Sequence, residues 1–317
     1  MKSILILSLL AFSSIIGAQN NTEEELILKS KPSDLYGTLL VPENHNAIVA
    51  LIIPGSGPTN RDGNSTIAGN NNSLKYLAED LAKNGISSLR IDKRGVGKSM
   101  LAMPGESELR FDTYINDVID WGYKILNDVR FKQLIIIGHS EGSLVGMAAT
   151  EELEKELNVK AYISIAGAGY PIDQILTIQL SNQPDTIKKE MEDIFKKLKN
   201  NETVDNVSAP LFMLFRPSIQ PYMASWIKYV PAEEIKKIES PVLILNGTTD
   251  IQVSVDNAEK LHEANPKSEI AIIEGMNHVL KEAPEDKDKN MATYANPDLK
   301  NVPELIDTIV KFITSIP

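Results

Sequence analysis

Ser140 sits between two glycines in Gly138-His139-Ser140-Glu141-Gly142, the first place where residue types and spacing suggest chemistry. A serine hydroxyl is a weak nucleophile at neutral pH, so it needs a base within reach and an acid to orient that base. The chain holds four histidines, His45, His139, His262 and His278. His139 adjoins the serine and is expected to face away from the tip of the turn. His45 falls in a polar turn and His262 in a helical stretch. His278 ends Gly275-Met276-Asn277-His278, just past a β-rich run at 269–273. Active sites of open α/β sheets gather at the C-terminal ends of strands, which makes His278 the candidate base. Asp250, closing Asn246-Gly247-Thr248-Thr249-Asp250 after a second such run at 241–245, is the candidate orienting acid. Three such side chains would carry out nucleophilic attack on a carbonyl carbon through a covalent intermediate.

That reaction also needs two backbone donors for the oxyanion. The amide of Glu141, directly after the nucleophile, is one candidate. The Ser56 amide is the other, in Pro54-Gly55-Ser56-Gly57-Pro58, where Gly55 and Gly57 allow close backbone approach to a ligand. The Glu141 carboxylate is read as serving the dipole of a helix's first turn rather than the chemistry.

The elements that must position these residues follow from hydrophobic period. Residues 25–30 and 35–41 read as an initial pair of strands. Residues 47–53 (AIVALII) form a continuous apolar run, suited to a strand buried on both faces. Helical spacing follows at 73–84, a strand at 86–91, a helix at 111–129 and a strand at 133–137. The Ser140 pentapeptide then opens a helix at 140–157. This strand–turn–helix setting is what a nucleophile elbow requires, because glycine is needed on both sides of so sharp a turn. A strand at 161–165 follows. The rhythm resumes at 241–245, with a helix at 255–264, a strand at 269–273 and a final helix at 302–316. Alternating strands and helices predict a mostly parallel sheet covered on both faces.

Between the two halves, residues 169–238 contain no strong strand. They are expected to form a helical cap inserted into a core made of 19–168 and 239–317. Phe212, Phe215, Tyr222, Met223 and Trp226 are candidates for an apolar acyl pocket, or for packing of cap against core.

Composition excludes several classes. The 317 residues carry a formal charge of −11, and no basic run stands out, which argues against nucleic acid and anionic membranes as partners. There is no cysteine, so disulfides, thiol catalysis and cysteine-ligated metals are excluded. Residues 1–18 have the build of a secretory signal peptide: Lys2, an apolar run at 4–16, then Gly17 and Ala18 before a polar stretch. That run is short for a membrane span of about 20 residues. The expectation is cleavage after Ala18 and a mature protein, periplasmic or secreted, with no stable membrane insertion. A cysteine-free chain sent to an oxidising space relies on core packing.

Taken together, these features resemble the α/β-hydrolase superfamily, whose members carry their triad in the order Ser, Asp, His. Arg90-Ile91-Asp92-Lys93-Arg94-Gly95-Val96-Gly97-Lys98-Ser99 resembles the D-x-R-G-x-G-x-S segment after the fourth strand of many members. Pro54 to Gly63 (PGSGPTNRDG) is similar to the oxyanion loop of bacterial secreted serine esterases in the dienelactone-hydrolase-like and serine-aminopeptidase-like branch. Arg216-Pro217-Ser218-Ile219-Gln220-Pro221 and Glu274-Gly275-Met276-Asn277-His278 fit the same group. Pro54-Gly55 stands where many members have His-Gly, a departure this group shares.

The resemblance spans residues 25–316. It implies an α/β-hydrolase fold with a helical cap and carboxylesterase activity on a small-molecule ester of short to medium acyl length, with no metal or other cofactor. Asp92 and Arg94 are read as a turn with an ion pair beneath the site. An aminopeptidase or acyl-peptidase is the alternative, with Glu233 and Glu234 available to hold a substrate N-terminus. A non-catalytic binding protein on the same scaffold would be supported by a missing triad member, and none is missing.

Overall fold

The computed structural model describes residues 21–317. The export segment expected at 1–18 lies outside the described residues.

Eight strands form one sheet: β1 (Asn21–Leu28), β2 (Leu35–Pro42), β3 (Ile48–Ile53), β4 (Ser87–Ile91), β5 (Gln133–His139), β6 (Val159–Ile165), β7 (Val242–Gly247) and β8 (Glu269–Ile273). Their order across the sheet is β1-β2-β4-β3-β5-β6-β7-β8. β1 pairs antiparallel with β2, and β2 antiparallel with β4; every other pairing is parallel. This is the mostly parallel sheet that the strand–helix rhythm implied.

The central strands sort their side chains by alternation. Val49, Leu51 and Ile53 of β3 join the core on one face, and Ile48, Ala50 and Ile52 the core on the other. The first face is covered by α2 (Phe111–Leu126) and α3 (Glu141–Leu153), through residues such as Trp121 and Leu144. The second is covered by α1 (Ser73–Lys83) and a C-terminal helix, Pro303–Ser315, through Leu77, Ile309 and Phe312. With both faces buried, period-two polarity vanishes and the strands read as continuous apolar runs.

The segment between β6 and β7 is helical. It contains α4 (Ile172–Gln179), α5 (Asp185–Lys199), α6 (Ala209–Phe215), α7 (Gln220–Trp226) and α8 (Pro231–Glu234). α7 lies against α2: Phe111 stacks on Trp226 at 5.4 Å between ring centroids, and Tyr114 meets Tyr222 edge-on at 5.8 Å. α3 is buried nearly all round, since the sheet covers one side and this segment the other. The helix after β8, α9 being Val255–Ala264 before it, is α10 (Lys287–Ala292), and the C-terminal helix is α11. α10 has no counterpart in the hydrophobic period. Its sequence is polar, its one buried residue is Asn290, and the Asp286 carboxylate caps it by accepting from the Lys289 amide at 3.0 Å. Among the described residues, no helix is long and apolar enough to cross a membrane.

The parallel arrangement sets the position of the chemistry. Ser56, Lys93, Ser140, Asp250 and His278 all follow the C-terminal ends of strands, namely β3, β4, β5, β7 and β8. They therefore lie along one edge of the sheet.

Candidate active site

β5 ends at His139, and Ser140 adopts φ 55° and ψ −122°, a backbone region that residues with side chains seldom occupy. Its surroundings hold it there. The Ser140 amide donates to the Ile165 carbonyl at 3.0 Å, and the Ser143 amide donates to the Ser140 carbonyl at 2.9 Å. A Cβ on Gly138 would lie 2.3 Å from the Gly142 carbonyl oxygen. One on Gly142 would lie 2.5 and 2.6 Å from the carbonyl oxygens of Ile53 and Pro54. Only glycine permits these approaches. α3 begins at Glu141, so its positive dipole end lies at the serine.

The structure brings Ser140, His278 and Asp250 together. Ser140 Oγ is 3.1 Å from His278 Nε2, and His278 Nδ1 is 2.8 Å from Asp250 Oδ2. An ionised carboxylate only accepts, so Nδ1 carries the proton and the Nε2 lone pair faces the serine hydroxyl. The other oxygen of Asp250 accepts from the amides of Gln252 (2.8 Å) and Val253 (2.9 Å), which fixes the plane of the carboxylate.

Residues that the sequence reading passed over hold these loops. Asn277 Oδ1 accepts from the amides of Val279 and Lys281 at 3.2 and 3.1 Å. Its Nδ2 donates to Asn290 Oδ1 and Thr293 Oγ1 at 3.0 and 2.7 Å. Asn290 Nδ2 in turn donates to the Thr249 carbonyl at 2.8 Å. The loop bearing His278 is thereby tied to the loop bearing Asp250 through α10. His139 does not simply face away. It is buried, its ring lies 5.0 Å from that of His278, and its Nε2–H donates to the His278 carbonyl at 2.8 Å. Burial, and next the neighbouring His278, push His139 down to about 4, so it is a neutral brace beneath His278.

The two amides expected to face an oxyanion, those of Ser56 and Glu141, have no acceptor among the described residues. The Glu141 side chain does more than complement the helix dipole. Its Oε1 accepts from Tyr222 OH at 2.6 Å and lies 3.8 Å from Lys93 Nζ. Burial, then the charge of Glu141, raises the Tyr222 hydroxyl well above its ordinary range and keeps it a donor. Asp92 and Arg94 do not pair with each other. Asp92 binds Arg61 at 2.6 Å and also accepts from the Arg61 and Lys98 amides, fastening the chain beyond the Ser56 loop. Arg94 makes a two-pronged bond to Asp117 on α2 at 2.7 and 2.6 Å.

With this geometry described, comparison with known proteins places the chain. The serine aminopeptidase S33 family matches residues 68–284, more than half of the sequence. The chain belongs to that family, and with it to the α/β-hydrolase superfamily. A non-heme chloroperoxidase, CPO-A1 of Kitasatospora aureofaciens, is 24% identical over 229 residues, covering 65% of this chain and 79% of that protein. Est1E from Butyrivibrio proteoclasticus, solved with ferulic acid bound, superposes with a TM-score of 0.61 at 18% identity, over 91% of this chain and 99% of that one. A dienelactone hydrolase from Anabaena variabilis gives a TM-score of 0.54 at 15% identity, over 93% and 98%.

Two cavities of this hydrolase meet at Ser140. One, of about 250 Å³, lies on the His278 side and is lined by residues including Ile67, Asn71, Ser73, Val279 and Tyr294; Gly55 and Gly57 form part of its wall. The other, of about 450 Å³, runs under the helical segment, among Leu144, Ile172, Ile219, Tyr222, Met223 and Trp226. Tyr222, Met223 and Trp226 are thus where an apolar pocket was expected. Phe215 is not: it is fully buried against Phe195 at 5.1 Å, because its side of the short α6 turns into the segment's own core. Phe212, on the same helix, faces solvent at 47% exposure. Glu233 and Glu234 line neither cavity; they pair with Lys236 and Lys237 at 2.8 and 2.7 Å. Among the described residues, no group of three or more His, Cys, Asp or Glu is arranged to hold a metal.

Lys281 closes the turn that carries His278. It is fully buried, donates to Asn301 Oδ1 at 2.9 Å, and lies 4.7 Å from the Tyr76 ring centroid. Burial, with Lys300 next, pushes it down to about 7. Its charged form is disfavoured in the folded protein, so this destabilisation is full below about pH 7 and fades as pH rises toward the unfolded value of about 10.4. Lys281→Met should therefore gain thermal stability relative to the parent most near pH 6, with the difference in Tm shrinking toward pH 9. Melting curves followed by circular dichroism would test this; a Tm difference moving in the parent's disfavour as pH rises would contradict it.

Proposed function

We propose that the protein is a serine carboxylesterase working through an acyl-enzyme. The observation that carries this reading is the continuous hydrogen-bonded line from Ser140 Oγ through His278 to Asp250. In the acylation step Ser140 Oγ attacks the ester carbonyl carbon while His278 Nε2 takes its proton. The carbonyl oxygen becomes an oxyanion facing the Ser56 and Glu141 amides. The C–O bond to the alcohol then breaks, and His278 returns the proton to the departing oxygen. Water, activated by the same nitrogen, releases the acid.

The proton route also orients the substrate. The leaving alcohol must lie beside His278, hence in the smaller cavity, while the acyl group extends under α4 and α7 into the larger one. Est1E, which holds ferulic acid, supports a reading in which the acyl side takes an apolar or aromatic acid. The second reading, an aminopeptidase, is favoured by the description of the matching family. It lacks a carboxylate for a substrate ammonium: Glu141 is the one acid lining either cavity among the described residues, and it is already bound by Tyr222 and Lys93.

Hydrolysis of p-nitrophenyl acyl esters should fall to background in Ser140→Ala. It should fall by about 10⁴-fold in Asp250→Asn, which favours the wrong imidazole tautomer. Equal rates from parent and Ser140→Ala would rule the assignment out, and faster turnover of aminoacyl-nitroanilides than of esters would favour the peptidase. Ile172→Trp should narrow the apolar cavity, lowering kcat/KM for octanoate by roughly 10-fold or more while leaving acetate nearly unchanged, in line with the free energy of a few buried methylenes. A uniform loss across acyl lengths would place the acyl group elsewhere. We also propose export with removal of residues 1–18. N-terminal sequencing of protein recovered from outside the cytoplasm should begin at Gln19, and an intact Met1 would refute it.

A further inference from the structure

Lys93 follows β4 and points its Nζ into the protein. It is 7% exposed, yet its Nζ donates to the Gly55 carbonyl and lies 3.8 Å from Glu141 Oε1 and 5.3 Å from the centroid of the Tyr114 ring. Nothing in the triad uses it. A buried lysine is costly unless its charge is matched, and a short apolar side chain would fill the same space at less cost.

The acceptor it has chosen is informative. The Gly55 carbonyl belongs to the same peptide unit as the Ser56 N–H. That peptide is trans, so its C=O and N–H point in opposite directions. Lys93 grips the carbonyl from the buried side; Gly55 is buried, whereas Ser56 is exposed and lines both cavities. A donor on the carbonyl therefore turns the N–H outward, toward the cavities that Ser56 and Ser140 share, and by withdrawing electron density it also makes that N–H a stronger donor. The acid nearest Lys93 is Glu141, whose own amide is the second oxyanion donor, and Tyr222 OH on α7 donates to the same oxygen of that side chain.

We propose that Lys93 is a positioning residue for the oxyanion hole, fixing and polarising the Gly55–Ser56 peptide, with Glu141 and Tyr222 locking it in place. The inference rests on the serine-esterase reading above and names the group that sets its transition-state stabilisation. Lys93 touches no reacting atom. It acts through the Ser56 amide, so its effect belongs in kcat and not in substrate binding.

The test is Lys93→Met, which keeps the shape and removes the donor. Lys93→Gln is the companion, polar and one bond too short to reach the Gly55 oxygen, should methionine fail to fold. Removing one oxyanion donor outright costs roughly 10²–10³-fold in kcat, so misaligning it should cost about 10- to 100-fold with KM nearly unchanged. Affinity for a trifluoromethyl ketone, which forms an oxyanion on Ser140, should fall by the same factor. The Ser56 amide ¹⁵N resonance should move upfield in both variants without substrate, because its peptide carbonyl has lost a hydrogen bond. Parental kcat, analogue affinity and Ser56 resonance in a folded variant would overturn the proposal, as would a loss confined to KM. Activity retained in Ser140→Ala would instead overturn the esterase reading, and the Ser56 resonance would still decide the role of Lys93.

Discussion

The close approach of Gly142 to the end of β3 governs the rest of the site. A single methyl group at 142 would overlap the carbonyl oxygens of Ile53 and Pro54, so the first turn of α3 is pressed against the chain that leads into the Ser56 loop. Ser140, strained between Gly138 and Gly142, is set close to that loop by this backbone contact. β3 and β5 are neighbours in the sheet, with Ile53 opposite Gly138, so the register of two buried strands sets the separation of Ser140 and the Ser56 loop. The strain at Ser140 is sustained because two apolar cores, one on each face, fix those strands.

His278 and Asp250 reach this point from strands farther along the sheet, and polar networks replace backbone packing there. Asn277 and Asn290 bind the turn after β8 to the loop after β7, and His139 supports the His278 carbonyl from below. The other flank is electrostatic. Lys93, Glu141 and Tyr222 connect β4, α3 and α7, so the helical segment over the site and the floor beneath it meet at one buried carboxyl group. A site built this way is rigid on the serine side and depends on satisfied buried polar groups everywhere else.

How far the sequence could be read follows from what each feature depends on. The sheet was legible because runs such as 47–53 and 133–137 are continuous and apolar. Ser140 was legible because its glycines lie between one such run and a helix. Asp250 and His278 could be placed by order and by strand ends. Phe215 could not: in a seven-residue helix with Pro210 in its first turn, which side faces a cavity is decided by tertiary packing, and here Phe195 claims the ring. α10 escaped because it has no apolar period, its role resting on one buried asparagine. The partners of Asp92 and Arg94, Arg61 and Asp117, lie 31 and 23 residues away, and no local pattern marks them. Lys93 stood inside a recognisable segment, yet its role depends on a carbonyl in another loop.

The central claim is that Ser140 is acylated. Mixing the protein with an excess of p-nitrophenyl ester and quenching within the first turnover should release one equivalent of nitrophenol in a burst. Intact-mass and peptide analysis of the quenched protein should find the acyl group on Ser140. Turnover with no burst and with the acyl group absent from Ser140, or attached to another residue, would contradict the account.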